Sequence, residues 1–233
     1  MSSAIAAEIR VLSAGAVKPG LVRVIDAFRR ETGRGVKVAF ATAPAIRKRI
    51  GGGETADVVV APPAVLDDLA KIGKAAEERV TVGRVGVGVM VQDGAPLPGI
   101  ATVDEFKRSL LSAGSVVYNQ ASTGTYLEAL FDRLGIGEQV MAKATRYPDA
   151  AAVLDHVSKG RGNEIGLGAT AVITEAKERG IRLVGPLPAE IQNYTIYAAA
   201  VVADGAVAEA SREFLRYLTT PAATAALTAA GIE

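Results

Sequence analysis

The sequence predicts an α/β protein of two doubly wound lobes joined by a two-strand hinge, and three observations predict it. Short apolar runs alternate with amphipathic helical stretches along the 233 residues, which is the pattern of parallel strands covered by helices. Two of those runs, one near the start of the chain and one at its middle, end in small polar turns that open a helix. Two long β-rich segments, Thr81 to Gln92 and Gln192 to Val202, exceed one compact strand and read as crossings between lobes.

In chain order, the apolar run Ile9 to Leu12 leads into Ser13-Ala14-Gly15-Ala16, and Pro19 then opens a helix with Leu21, Val24, Ile25 and Phe28 inward. Val36 to Phe40 is the next strand. Its end carries Thr42, Ala43 and Pro44 before a short basic helix with Arg47, Lys48 and Arg49. Those charges read as a solvated face, Arg47 alone being a candidate neighbour of a ligand. Gly51-Gly52-Gly53 breaks the helix, and Asp57 leads Val58-Val59-Val60-Ala61, a run apolar enough for a parallel strand buried on both faces. Ala61-Pro62-Pro63 starts a helix holding Val65, Leu66 and Leu69.

After the first crossing, the turn Asp93 to Gly99 precedes a helix over Thr102 to Leu111 with Thr102 as its cap. The stretch Val116 to Leu134 is a strand, a polar turn at Gln120 to Thr125, and a helix that buries Leu127, Leu130, Phe131 and Leu134. Ser122 is the expected N-cap, and Gly124 is expected to let a ligand approach the backbone. The unbonded N–H groups and the helix dipole there make an anion site. Arg146-Tyr147-Pro148 reads as a loop before a helix with Ala151, Leu154 and Val157 inward. Ile165 to Ala169 is a strand, Thr170 to Arg179 a helix, Ile181 to Val184 a strand, and Val207 to Leu218 a closing helix. Lobe one is residues 1–83 and 198–233, lobe two is 84–197, and the ligand lies in a cleft between them.

Composition narrows the chemistry. The 26 basic and 25 acidic residues, net +1, are spread along the chain, which argues against a nucleic-acid surface. With 0 cysteines and 1 histidine, thiolate chemistry is excluded and no metal-ligand spacing occurs. His156 has apolar neighbours on its helix, and Asp155, adjacent in sequence, points elsewhere, so neither forms a catalytic pair. Gly166-Leu167-Gly168-Ala169-Thr170-Ala171 has the form of a dinucleotide fingerprint, but it comes late and reads as close backbone packing. No cofactor and no catalytic residue are expected.

No apolar run approaches the roughly 20 residues of a membrane span, so no membrane insertion is expected. The opening MSSAIAAE shows neither the basic stretch nor the long apolar run expected of a secretory leader. The expected location is periplasmic if a leader has been removed, and otherwise cytoplasmic. A monomer is expected.

The candidate ligand-binding residues fall in two sets. Ser13, Ala14, Gly15, Ala16, Thr42 and Ala61 are expected to line one wall, and Ser122, Thr123, Gly124, Thr125, Arg146, Tyr147 and Ala169 the other, with Ala43 and, near the hinge return, Tyr194 as further candidates. Arg146 suits a carboxylate or another planar anion. Tyr147, Tyr194 and Glu164 are the groups that could move a proton if the protein turns over its ligand.

As a set, the stretches VLSAGAVKPGLVRVIDAFRRETG, VAFATAPAIRKRIGGGETADVVVAPP, GRVGVGVMV, STGTYLEALFDRLGI, EIGLGATAV and AVAEASREFLRYLTTPAATAAL resemble the ModA-like periplasmic solute-binding proteins of ABC transporters. The resemblance implies the type II periplasmic-binding-protein fold and a receptor that hands a small anion to an ABC permease. It departs from the molybdate binders at Ala16 and Ala43, where they offer serines, and at Leu167, where they offer a tyrosine. Ser13 and Thr42 stand next to the first two places. The stretches ATVDEFKRSLL, VVYNQASTGTYLEALFDRLGIGEQV and VGPLPAEIQ are similar to the aconitate isomerase branch. The expected ligand is therefore a carboxylate in preference to a molybdate-type oxyanion. An aconitate-isomerase-like enzyme acting on an unsaturated polycarboxylate and a cytosolic ligand-sensing domain are the alternatives.

Overall fold

Strands form where β-branched residues cluster and helices where apolar residues recur at three and four. The computed structural model describes residues 8–203 and 207–233; residues 1–7, which the leader reading concerns, lie outside them. The chain runs β1 (Ile9–Ala14), α1 (Lys18–Thr32), β2 (Val36–Ala41), α2 (Ala43–Gly51), β3 (Val58–Ala61), α3 (Pro63–Lys71) and β4 (Ala75–Gln92). It continues through α4 (Val103–Ser112), β5 (Ser115–Asn119), α5 (Ser122–Arg133), α6 (Gly137–Met141), β6 (Ala144–Tyr147), α7 (Ala150–Ser158), β7 (Glu164–Ala169) and α8 (Thr170–Thr174). It ends with β8 (Ile181–Pro186), β9 (Tyr194–Val202), α9 (Ala208–Leu218) and α10 (Pro221–Thr228).

These elements divide into two units, Met1–Arg84 with Ile196–Glu233, and Val85–Thr195, so the chain passes from one to the other inside β4 and β9. In the first unit β1 pairs in parallel with β2 on one side and β3 on the other, and β3 pairs antiparallel with β9. All four residues of β3 are buried, as a strand covered on both faces requires. Phe28 of α1 meets Phe214 and Tyr217 of α9 edge-on at 5.1 and 5.2 Å. Gly20 lets α10 approach α1, because a Cβ there would stand 3.0 Å from Leu227 Cδ2 and 3.2 Å from Leu227 Cα. Helix α10 was not expected from sequence; its small alanine-rich face carries little periodic signal.

In the second unit β5 pairs in parallel with β6 and β7, while β4 pairs antiparallel with β7 and β8. Side chains alternate along β5, so Val116 and Tyr118 join a core with α4, α5 and α6, and Val117 joins the core beneath α7 and α8. Thr102 caps α4 as its sequence predicts, its hydroxyl accepting from Glu105 N at 3.2 Å.

Three local expectations need correction. Arg146 and Tyr147 belong to strand β6, not to a loop, because backbone pairing with β5 takes them up. Ala151 is exposed, and Val153, Leu154 and Val157 form the inward face of α7. The helix expected over Thr170 to Arg179 stops at Thr174, and a 3-10 turn at Lys177–Arg179 follows, closed by Gly180 at φ 73°. Among the described residues no helix is long and apolar enough to cross a membrane.

Candidate functional site

Both units place their candidate residues at the same kind of position. In each, the middle parallel strand is followed in sequence by a strand on one side and then by a strand on the other: β1 has β2 and β3, and β5 has β6 and β7. Chain connections therefore diverge at the carboxyl ends of β1 and β3 and of β5 and β7. Such divergence leaves a crevice where ligands bind in open α/β sheets.

At the carboxyl end of β5 the turn is held from two directions. Gln120 N donates to the Tyr147 carbonyl at 2.8 Å, and Asn119 Oδ1 accepts from Ala121 N at 3.0 Å. With Asn119 shaping the turn this early, α5 starts at Ser122 and its N-cap is Ala121, in extended conformation. Ser122 is thus the first helical residue and not the cap. An alanine cap offers no acceptor, and the first helical bond runs from Thr125 N to Ala121 O at 3.1 Å. The N–H groups of Ser122, Thr123 and Gly124 consequently have no helical partner. Thr123 is only 9% exposed, and its hydroxyl has no hydrogen-bond partner among the described residues. Thr125 is exposed, its hydroxyl 3.5 Å from Ala121 O.

Packing requires a glycine at position 124. A Cβ on it would stand 1.9 Å from the Asn119 carbonyl oxygen and 3.3 Å from the Tyr118 ring. The missing side chain lets the first turn of α5 sit on the end of β5.

Arg146 and Tyr147, neighbours on β6, point to opposite faces of the sheet. Arg146 is exposed and pairs with Glu128 at 2.9 Å, well along α5 from its N-terminus. Tyr118 donates to the same Glu128 oxygen at 3.3 Å. Burial pushes the Tyr118 hydroxyl up to about 12, the Glu128 charge adds to this, and Arg146 opposes it. On the other face Tyr147 Oη lies 2.8 Å from His156 Nδ1, with the rings edge-on at 5.6 Å. The histidine is a packing partner of that tyrosine. Asp155 turns away from it to pair with Arg179.

Ala169 ends β7 and precedes α8. Of the glycines before it, Gly166 is held by packing, since a Cβ would stand 2.7 Å from Met90 and 2.8 Å from Val157, whereas Gly168 has only ordinary contacts, the nearest at 3.8 Å. Beside Gly168 a small indentation of about 10 Å³, room for one water-sized group, is lined by Met90, Asn119, Ala150, Val153, Leu154, Leu167, Gly168, Ala169, Val172 and Ile173. Asn119 is its one polar side chain. Asn119 is 8% exposed, and its amide nitrogen has no partner among the described residues. Sequence reading passed over this residue, although an asparagine just ahead of a helix start is a turn-forming signal.

In the first unit, Ser13 is fully buried and its hydroxyl donates to the Ala14 carbonyl at 3.2 Å. Ala14 caps a 3-10 turn over Gly15–Val17, which contains Ala16. Thr42 is the N-cap of α2 without a side-chain cap bond, Ala43 is its first residue, and Ala61 is buried at the end of β3. Arg47 pairs with Asp68 at 3.3 Å on the surface. Tyr194, in the second unit, is 42% exposed, its ring edge beside Gly86. Glu164 accepts from Arg161 N, Gly162 N and Asn163 N at 2.9–3.1 Å. Burial alone would raise its pKa, but these backbone donors outweigh it and hold the carboxyl below its usual range. Among the described residues no three histidine, aspartate or glutamate side chains gather as a metal site.

Comparison with known proteins bears on this geometry. A family model described as bacterial extracellular solute-binding protein matches residues 9–233. An aconitate isomerase of a Pseudomonas species is 34% identical over 234 residues, covering 97% of this chain and 87% of that protein. The periplasmic molybdate-binding protein of Azotobacter vinelandii superposes with a TM-score of 0.81 at 18% identity, covering 97% of this chain and 98% of that one. The sulfate-binding protein SubI of Mycobacterium tuberculosis gives 0.75 at 18% identity, covering 97% and 86%. Those two likenesses establish the fold, that of periplasmic binding proteins.

Proposed function

The chain belongs to the bacterial extracellular solute-binding protein family, and we propose that within it this protein captures a small carboxylate anion outside the cytoplasmic membrane for delivery to an ABC-type permease. The observation that carries the proposal is the open first turn of α5. Its unbonded N–H groups, the Thr123 hydroxyl and the Asn119 amide lie together at the carboxyl end of β5, where the helix dipole adds partial positive charge.

A compact tetrahedral oxyanion needs many short donors around one centre, and these turns are poor in them. Ala16 and Ala43 carry no hydroxyl, the Ser13 hydroxyl is turned to a backbone carbonyl, and Leu167 is buried in the core. The 34% identical relative is named for aconitate, itself a carboxylate.

That relative also favours a second reading, an isomerase of an unsaturated polycarboxylate. A shift of a carbon-bound proton needs an acid and a base within hydrogen-bond reach. Of the three candidates, Tyr147 Oη lies 2.8 Å from His156 Nδ1, Glu164 is held by three backbone donors and Tyr194 is 42% exposed.

Melting the protein with citrate, cis-aconitate, succinate, molybdate, tungstate and sulfate tests the ligand class. A ligand at a hundredfold excess over Kd stabilises by about 2.7 kcal/mol. Stabilisation by molybdate or tungstate with none by any carboxylate would refute the carboxylate reading. Proton NMR of cis-aconitate incubated with the protein tests the second reading, since trans-aconitate appears only if there is turnover. Asn119→Asp keeps an oxygen to accept from Ala121 N while adding negative charge, and is expected to weaken carboxylate binding at least tenfold.

A further inference from the structure

We infer that the ligand is an organic anion with a short apolar branch, seated in the indentation between the ends of β5 and β7 while its carboxylate takes the N–H groups of α5. The inference rests on the carboxylate reading above and specifies the substrate class for it. Asn119 joins the two places. Its side chain lines the indentation, its Oδ1 holds the turn that opens α5, and its carbonyl oxygen supports Gly124 in the first helical turn.

The lining distinguishes an apolar branch from a second polar group. Met90, Val153, Leu154, Val172 and Ile173 offer no hydrogen bond, and the Asn119 oxygen is already taken by Ala121 N. A water or hydroxyl placed among these side chains lacks the two to four polar partners that hold buried water. The Asn119 amide nitrogen, with no partner among the described residues, is free to donate to a carboxylate oxygen. Apolar walls beside a few placed donors are the usual build of a small-molecule site.

Gly168 provides a clean probe. A methyl at Gly168 would meet Ile173 and Met90 at 3.8 Å, ordinary contact. Gly168→Ala therefore narrows the indentation without forcing the sheet. The experiment measures calorimetric affinities for two pairs of dicarboxylates that differ by one methyl, succinate with 2-methylsuccinate and glutarate with 3-methylglutarate. In the unsubstituted protein at least one methylated member is expected to bind about fourfold tighter than its parent, the equivalent of one buried methylene. Gly168→Ala should abolish that difference while leaving the ligand-free melting temperature unchanged. Val172→Ala, which enlarges the indentation, should retain or increase the preference.

Equal affinities within both pairs, or a methyl preference that survives Gly168→Ala, overturns the apolar-branch assignment and leaves the carboxylate reading standing. If no carboxylate binds at all, the carboxylate reading fails and this inference fails with it, so the two failures are distinguishable.

Discussion

Replacing Gly124 with alanine separates two roles that a glycine at a helix start can play. The added Cβ would lie 1.9 Å from the Asn119 carbonyl oxygen. That oxygen is backbone, anchored at the end of a buried strand, so relief requires α5 to move off β5. Overpacking of this kind costs about 3 kcal/mol at the upper end of its range. Alanine in a helix is better than glycine by about 1 kcal/mol, which leaves a net loss of about 2 kcal/mol. For a chain of this size that corresponds to a fall of roughly 4–8 °C in melting temperature. The assay is thermal unfolding of the ligand-free protein followed by circular dichroism, with Gly168→Ala as a comparison in which no close contact is made. If Gly124→Ala melts like the unsubstituted protein and only ligand binding is lost, the packing role assigned to this glycine is wrong.

Other perturbations test the surrounding framework. Asp57 is buried and accepts from Arg10 N at 2.8 Å, Nε at 3.0 Å and Nη2 at 3.1 Å. Arg10→Ala removes two charged hydrogen bonds from that carboxylate; with the Arg10 side chain 40% exposed, the expected cost in urea unfolding is about 1–3 kcal/mol, against at most about 1 kcal/mol for Arg47→Ala at the surface pair with Asp68; a smaller cost for Arg10→Ala than for Arg47→Ala would contradict the assignment. Glu164 favours its charged form when folded, so the unfolded state binds more protons as pH falls below the ordinary carboxylate range. Its stabilisation is full above that range and is lost as pH drops through the folded value. Glu164→Gln should flatten the acid side of a stability profile from pH 7 to 3, and an unchanged slope would count against the three-donor turn. Tyr118 titrates at about 12 in the folded protein, so its contribution falls as pH rises from its ordinary value near 10 toward 12. Burial also raises the Tyr217 hydroxyl, so an absorbance titration should show late tyrosine ionisation that diminishes, without vanishing, in Tyr118→Phe.

What the sequence determined by itself is the succession of elements and the places where a strand hands over to a helix. Those depend on local periodicity and turn chemistry, which is why β1, β3 and β5 and the turns after them were legible, as was the Thr102 cap. The unbonded N–H groups of the Ser122–Thr125 turn were legible for the same reason, since any helix start leaves such groups. Tertiary structure decided which side chains stand beside those groups. Asn119 claims the turn and moves the cap to Ala121, and the fit of α5 on β5 makes Gly124 obligatory. The placing of β6 beside β5 turns Arg146 toward Glu128 and Tyr147 toward His156. Each of these depends on a residue in another element or on the order of strands across the sheet. Hydrophobic pattern carries neither, because a parallel strand buried on both faces reads the same whichever neighbours it takes.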